Sequence, residues 1–290
     1  MPSISIVTDS AAQFSDALYE GCELVSSLAM QIQIGNEWLR DTPDPRTCHR
    51  LAELPPNQMA RLHPPKVEDF VHLFSELSPK SDSIICILSS DYLTNNLANA
   101  RQAAEIVKGP AAIQIIDSLT TGPGLGLIVQ SAARAALTEK NGAQLGRLIR
   151  GFLPQVYTAY VFPNLRPLAL HAKVDIAQAV AAEMLGLLPF YVMEGGVLAP
   201  KRKARSARQV VDLLQEFAEE FDQLHHLALI QGLPPHDQDL RNLRDRLRQA
   251  FPAVTLTEHM LSASQVALFG AQALGLAAME KTHSRHYVGE

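Results

Sequence analysis

Thr8, Asp9 and Ser10 close a short apolar run, Ile4-Ser5-Ile6-Val7, and are the first residues of the chain equipped for polar chemistry. At the carboxyl end of a strand in an open α/β sheet they would wall a ligand crevice. Asp9 or Ser10 could equally cap a following helix, and both readings fit the pattern. An aspartyl nucleophile needs a metal-binding partner, and no D-x-D follows Asp9. Ser89, Ser90, Asp91, Tyr92, Leu93, Thr94, Asn95 and Asn96 come after a second apolar run and open a helix-like stretch. Hydroxyls and free backbone N–H groups would converge there on a helix N-terminus, which suits a carboxylate or phosphate, although capping accounts for the same residues. Asp117 and Ser118 end a third run and precede Gly122-Pro123-Gly124-Leu125-Gly126. That glycine-rich turn does not fit G-x-G-x-x-G, and no G-x-x-x-x-G-K-[ST] occurs, so nucleotide binding by those routes is disfavoured.

A basic cluster, Lys201, Arg202, Lys203, Arg205 and Arg208, reads either as the solvated start of a helix or as a docking patch for an acidic or phosphorylated partner. The ten histidines form no H-x-x-x-H or H-E-x-x-H arrangement, and no metal site is expected. Cys22, Cys48 and Cys86 lie far apart and outside any C-x-x-C, which fits buried thiols in a reducing compartment better than zinc or disulfides. The absence of G-x-S-x-G leaves an α/β-hydrolase triad without support.

The elements that must position these residues follow from hydrophobic period. Ile4, Ile6 and Val7 predict a strand, and Phe14, Ala17, Leu18 and Cys22 a helix after it. Val67, Phe70, Val71, Phe74 and Leu77 predict an amphipathic helix behind the Pro64-Pro65 break. Ser83 to Leu88 and Ala111 to Ile116 are strands, separated by helical Leu97, Ala100, Ala104 and Val107, and a long Ala-rich helix closes at Ala132 to Leu137. Strands alternating with helices argue for βαβ units and a mostly parallel sheet. Beyond residue 155 the texture changes. Val156 to Phe162 and Pro189 to Met193 are strand-like, and Glu194-Gly195-Gly196 turns the chain into Val197-Leu198 as a hairpin. Val210 to Phe221 carries a helical stripe, and His226 to Ile230 and Val254 to Thr257 flank a helix bearing Leu240, Leu243 and Leu247. The fold class is therefore α/β with two domains: residues 1–155 a mostly parallel sheet flanked by helices, and residues 156–290 an α+β domain. Segment 40–66, with six prolines, reads as the least regular stretch, holding a short helix near Cys48 to Leu54.

Composition limits what these residues can serve. The chain has 290 residues, 47% of them hydrophobic and 19% charged, which excludes a disordered chain. With 25 Lys and Arg against 30 Asp and Glu, a general nucleic-acid binder is disfavoured. No basic segment leads into an apolar one at the N-terminus, so a soluble, cytoplasmic protein is expected. Leu261 to Met279 carries no charge, but its Ser, Gln and Gly residues argue against membrane insertion, and it is expected to be a buried helix with its lead-in loop.

Taken in order, Ile6-Val7-Thr8-Asp9-Ser10, Leu93-Thr94, Ile115-Ile116-Asp117-Ser118 with Gly124 and Gly126, Glu194-Gly195-Gly196, Lys203-Ala204-Arg205 and Ala273-Leu274-Gly275 resemble the DegV family of bacterial fatty-acid-binding proteins over nearly the whole chain. The resemblance implies a long-chain fatty acid buried between two α/β domains, no cofactor, and in some members a partner, the catalytic subunit of a fatty acid kinase. It places Thr94 where the family has a carboxylate-binding serine, with Asn95 at the neighbouring glycine, and sets Ser90, Asp9, Ser10 and Ser118 around them. Lys203 and Arg205 fall in the kinase-docking stretch. The chain also departs from the family. Leu62-His63-Pro64-Pro65-Lys66 replaces T-S-Q-P-S, so a carboxylate-holding threonine is missing and His63 stands beside its place. His171-Ala172-Lys173 replaces Gly-Gly-Arg, leaving Lys173 as the positive charge but no bidentate fork. Leu268 occupies the place of the head-group histidine, and Gly122 that of a serine. The expected role is non-enzymatic binding of a fatty acid or related lipid. The alternatives are an interaction subunit without lipid, and a hydrolase- or phosphatase-like enzyme using Asp9, Ser90 and Asp117.

Overall fold

The computed structural model describes residues 3–16, 18–55, 58–139, 141–233 and 237–281. A parallel four-stranded sheet, in the order β2-β1-β6-β7, is built from β1 (Ile4–Asp9), β2 (Val25–Leu28), β6 (Ser83–Leu88) and β7 (Ala112–Asp117). Its central strand β6 is covered on both sides, which is why Ile-Ile-Cys-Ile-Leu is apolar without alternation. Helices α2 (Val67–Leu77) and α4 (Leu97–Ile106) bury Phe70, Phe74 and Ala100 against Val7 and Ile84 on one face. Helices α5 (Pro123–Thr138) and α6 (Gly142–Phe152) bury Leu125, Val129 and Leu145 against Ile4 and Ile6 on the other.

A mixed six-stranded sheet follows, ordered β10-β9-β8-β13-β11-β12, from β8 (Val156–Val161), β9 (Leu188–Glu194), β10 (Val197–Ala204), β11 (Leu224–Gln231), β12 (Thr255–Met260) and β13 (Leu274–Glu280). Only β11 and β12 pair in parallel. Helices α9 (Ala207–Glu219) and α10 (Asp237–Ala250) cover one face. The other receives α7 (Arg166–Leu170), α8 (Ile176–Met184) and α11 (Ala263–Phe269), together with a small antiparallel sheet from earlier in the chain. That third sheet, β4-β3-β5, comprises β3 (Gln31–Ile34), β4 (Glu37–Arg40) and β5 (Ala60–His63), with α1 (Pro45–Ala52) beside it. Its Ile32, Ile34 and Ala60 share a core cluster with Phe162, Leu268 and Phe269. No helix among the described residues is long and apolar enough to cross a membrane.

Four expectations require correction. The helix predicted from Phe14, Leu18 and Cys22 is absent; Ala17 lies outside the described residues, and the segment is irregular apart from one 3-10 turn at Cys22–Leu24. Gln13 donates its N–H to Gly122 O at 3.2 Å, and its carbonyl would meet a Cβ on Gly126 at 1.8 Å. The backbone there is committed to docking on the start of α5, which removes it from any helical ladder. Segment 40–66 is more regular than its prolines suggest, because Pro45 occupies the first turn of α1 behind the cap residue Asp44 and costs no hydrogen bond. The uncharged stretch 261–279 is a seven-residue helix that stops at Gly270, followed by β13. That strand pairs on both sides and is buried on both faces, so it reads as uniformly apolar. Finally, Lys201, Arg202 and Lys203 belong to β10 instead of a helix start. They lie on an edge strand, where charge discourages pairing with another chain.

Candidate functional site

The carboxyl end of β1 delivers Asp9 to the foot of the loop after β6. Asp9 is fully buried and accepts four hydrogen bonds: from Ala11 N at 3.0 Å, Ser89 N at 2.7 Å, Ser89 Oγ at 2.7 Å and Asn96 Nδ2 at 2.8 Å. Burial raises its pKa, and these donors oppose the rise. No helix follows among the described residues, so the capping alternative drops out; Asp9 ties β1 to the loop beyond β6 instead. Ser10 donates to Asp41 Oδ2 at 2.7 Å and accepts from Met30 N at 3.0 Å. Asp41 in turn accepts from Ser264 N at 3.3 Å, and burial pushes its pKa up to about 6.

After β6 the chain makes one short helix, α3 (Asp91–Thr94), then a left-handed residue, Asn95 (φ +53), and only then α4. Thr94 therefore ends a short helix and is not at the start of the long one. Asp91 Oδ1 takes the Leu97 N–H at 3.1 Å, a service the hydroxyls were expected to perform. The Thr94 hydroxyl lies 3.2 Å from Ser89 Oγ, whose proton goes to Asp9, 3.1 Å from Ser90 O and 3.2 Å from Asn96 Oδ1. Ser90 Oγ donates to Gly196 O at 2.5 Å, linking this corner to the β9–β10 turn. Ser118 closes its own loop on Thr120, whose hydroxyl meets Thr158 at 2.9 Å. Asp9, Ser90 and Thr94 are thus brought together in one hydrogen-bonded corner, which Ser118 joins through the Thr120 carbonyl; Ser10 bonds away from it, to Asp41 and Met30, and Asn95 is exposed.

The remaining candidates stand elsewhere. His63 packs at a tilt against Trp38 with ring centroids 4.8 Å apart and contacts Gln33 Oε1 at 3.0 Å; burial lowers its pKa. Lys173 holds its ammonium 4.9 Å above the Tyr92 ring, and its pKa is also lowered by burial. His171 is occupied structurally, accepting Leu62 N–H at Nε2 (2.9 Å) and placing Nδ1 2.8 Å from Pro167 O, which defines the neutral Nδ1–H tautomer. Leu268 is buried in the core on α11. Lys203 and Arg205 are exposed, whereas Lys201 pairs with Glu194 and Arg202 with Glu216.

Apolar space adjoins the corner through Leu93. That residue belongs to the cluster in which Tyr160 and Phe269 (4.7 Å), Phe162 and Phe269 (5.4 Å) and Phe162 and Tyr191 (5.5 Å) pack at tilted or edge-on angles on the inner face of the mixed sheet. A groove of about 260 Å³ reaches this cluster between α1 and α11, along Leu51, Met59, Val266 and Phe269. On the opposite face of the sheet, an apolar cavity of about 170 Å³ lies between Val161, Leu188, Val210, Leu214 and Leu243. None of the nine ligand candidates lines either space. The described residues contain no cluster of His, Cys, Asp and Glu able to hold a metal ion. Sequence reasoning missed Asp41, Tyr160 and Gln265. Of these only Gln265 had a readable signal, the Ser262-x-x-Gln265 capping box.

Residues 3–281 match the family model described as uncharacterised protein, DegV family. A DegV domain-containing protein of Clostridium perfringens is 21% identical over 262 residues, covering 85% of this chain and 88% of that protein. Another, from Clostridium acetobutylicum, is 24% identical over 174 residues, which is 56% of this chain and 61% of the relative's length. Among solved structures, a fatty acid binding DegV family protein of Streptococcus agalactiae superposes with a TM-score of 0.84 at 17% identity, covering 97% of this chain and 100% of that one. A DegV family protein of Eubacterium eligens loaded with heptadecanoic acid gives 0.82 at 17% identity, covering 96% and 100%. The Streptococcus pneumoniae Fatty Acid Kinase (Fak) B3 protein loaded with linoleic acid gives 0.82 at 15% identity, with the same coverage.

Proposed function

The chain belongs to the DegV family, and we propose that it binds a long-chain fatty acid or related lipid in its interior, without chemistry of its own. The observation that carries this reading is the junction at Leu93, where a buried corner of hydroxyls meets an aromatic and aliphatic core cluster. A polar end joined to an apolar interior is complementary to an amphiphile, whose acyl chain needs apolar walls and whose head needs a few placed donors. Ser90, Thr94 and Asn95 mark the polar end, with Asp9, Ser10 and Ser118 as its frame. His63, Lys173 and Leu268 lie in the surrounding walls. The site falls between residues 1–155, which supply the corner, and residues 156–290, which supply most of the apolar cluster. The acyl-loaded relatives of the same fold support the ligand class.

The Fak B3 relative supports a carrier that presents its lipid to a fatty acid kinase; in this reading the protein is cytoplasmic, and exposed Lys203 and Arg205 are the docking contacts for the kinase catalytic subunit. Mass spectrometry of the purified protein, native and then denatured with organic extraction, tests the lipid reading. A stoichiometric acyl lipid is expected. A protein that is empty and takes up no added fatty acid would leave the interaction-subunit reading in its place.

A further inference from the structure

The apolar cavity of about 170 Å³ lies on the face of the mixed sheet opposite the aromatic cluster. Val210, Val211 and Leu214 of α9 recur at the spacing of one helix face and form its roof, with Leu243 of α10 beside them. Val161 and Leu274 form its floor, and Leu274 is only partly covered, so the cavity opens at the end of the sheet. Protein interiors are packed to crystal-like density and contain few voids larger than a water. An apolar void of roughly 150 Å³ stays dry and takes a benzene-sized guest. Gln272 is the one polar residue on the wall among the described residues, and it is exposed. With no donor or acceptor set inside, the cavity is suited to hydrocarbon and not to a head group.

Pro163 and Gln272 line both this cavity and the groove between α1 and α11. Pro163 lies just past the end of β8 and Gln272 just before β13, and the two strands pair at Val161 and Leu274. The two spaces therefore adjoin where this strand pair stops and no ladder bond divides the faces of the sheet. The groove in turn runs along Val266 and Phe269 of the cluster that meets the polar corner at Leu93. We propose that the cavity under α9 and α10 seats the methyl end of the bound acyl chain, an inference that rests on the lipid-binding reading above. The head stays at Ser90 and Thr94, the middle follows the cluster and the groove, and the end turns past Pro163. Thr158, bonded to Thr120 beside the corner, lies five residues before Pro163, roughly 16 Å at about 3.3 Å per residue. With C–C bonds of about 1.52 Å, an extended chain advances about 1.25 Å per bond, so about thirteen carbons reach the end of the sheet. The cavity then takes about five or six more, which matches its benzene-sized volume. It thus selects acyl chains of about eighteen carbons over shorter ones.

Calorimetric titration of the delipidated full chain with dodecanoate and octadecanoate at pH 8 tests the assignment. Val211→Phe puts a ring into existing space, so the unliganded melting temperature should hold or rise. A methylene taken from water is worth about fourfold in affinity, so octadecanoate binding should fall about 10-fold or more while dodecanoate stays within about twofold. Gln272→Trp, on the exposed wall shared with the groove, should give the same length-dependent loss without touching the core. Benzene probes the cavity directly: it should raise the melting temperature of the delipidated parent and not that of the octadecanoate-loaded protein. If both variants keep the parent's octadecanoate affinity, or lose affinity equally for the two chains, the tail ends elsewhere and the lipid-binding reading stands. Benzene that leaves the delipidated parent unchanged, or stabilises the loaded protein as much, overturns the seat in the same way. A parent that takes up neither fatty acid overturns both.

Discussion

The corner around Asp9 and the start of α5 lie close together in the molecule, are equally buried and are equally rich in polar atoms, yet they are finished differently. At Asp9 the protein supplies both halves of each contact: two backbone N–H groups, a hydroxyl and an amide meet one carboxylate. At the start of α5 the pairing is incomplete: Thr8 Oγ1 and Gln13 Oε1 are buried without a hydrogen bond, and Tyr160 and Gln265 have only each other. A saturated network in a low-dielectric interior rigidifies the scaffold, whereas an unsaturated one costs stability until something else completes it. The difference separates a part of the interior that the polypeptide completes from one that it leaves incomplete. It runs against the sequence order of suspicion, in which Thr8-Asp9-Ser10 and Ser89 to Asn96 ranked first.

The comparison can be broken most forcefully at Asp9. Asp9→Ala would strand four buried donors, and a loss of about 3–5 kcal/mol in urea denaturation is expected, with or without lipid. Gly122→Ala is next. It combines a backbone conformation (φ +61, ψ −134) close to a glycine-only region with a Cβ 2.2 Å from Gln265 Nε2, and should cost about 2–3 kcal/mol. Pairing it with Gln265→Ala should recover the steric part but not the backbone part; full additivity in the double-mutant cycle would deny the contact.

Asp41 joins the two regions through Ser10 and Ser264, and its effect depends on pH. Its pKa is about 6 in the folded chain against 3.8 as the ordinary value, so the folded state binds the proton more tightly. The stability this provides is full below pH 3.8 and is lost as pH rises through 6. Asp41→Asn removes the dependence, so its stability relative to the parent should improve by about 2 kcal/mol between pH 4.5 and 7.5. A flat difference across that range would mean Asp41 titrates normally. The smallest effect is the most discriminating. Thr94→Val should cost about 1 kcal/mol because its hydroxyl is engaged on several sides, while Tyr160→Phe, whose hydroxyl meets only the Gln265 amide, should cost less. Equal losses would erase the distinction between the two regions.

Much of the fold was legible because local rules and tertiary demands agree. The apolar runs of β6 and β7, the stripes of α2 and α9, and the Gly195-Gly196 hairpin all follow from period and turn chemistry. Phe14 to Cys22 misled because its apolar spacing serves packing between Phe14 and Tyr19 (4.9 Å) and docking on α5, with no helix involved. The third sheet escaped notice because each of its strands has four residues, too few to show a period.

The site divides along the same line. Local pattern was sufficient to mark the carboxyl ends of β1, β6 and β7 as polar and to place the chain in its family, since those residues are contiguous and their order is preserved. Local pattern could not say which polar atoms would be spent on one another. Asp9 finds Ser89 and Asn96 some eighty residues away, and Gln13, Gly122, Tyr160 and Gln265 meet only when α5, β8 and α11 pack together. Hydrogen-bond satisfaction is a property of the assembled interior, set by distances between segments remote in the chain, so only the tertiary structure decided which groups were complete and which were left open.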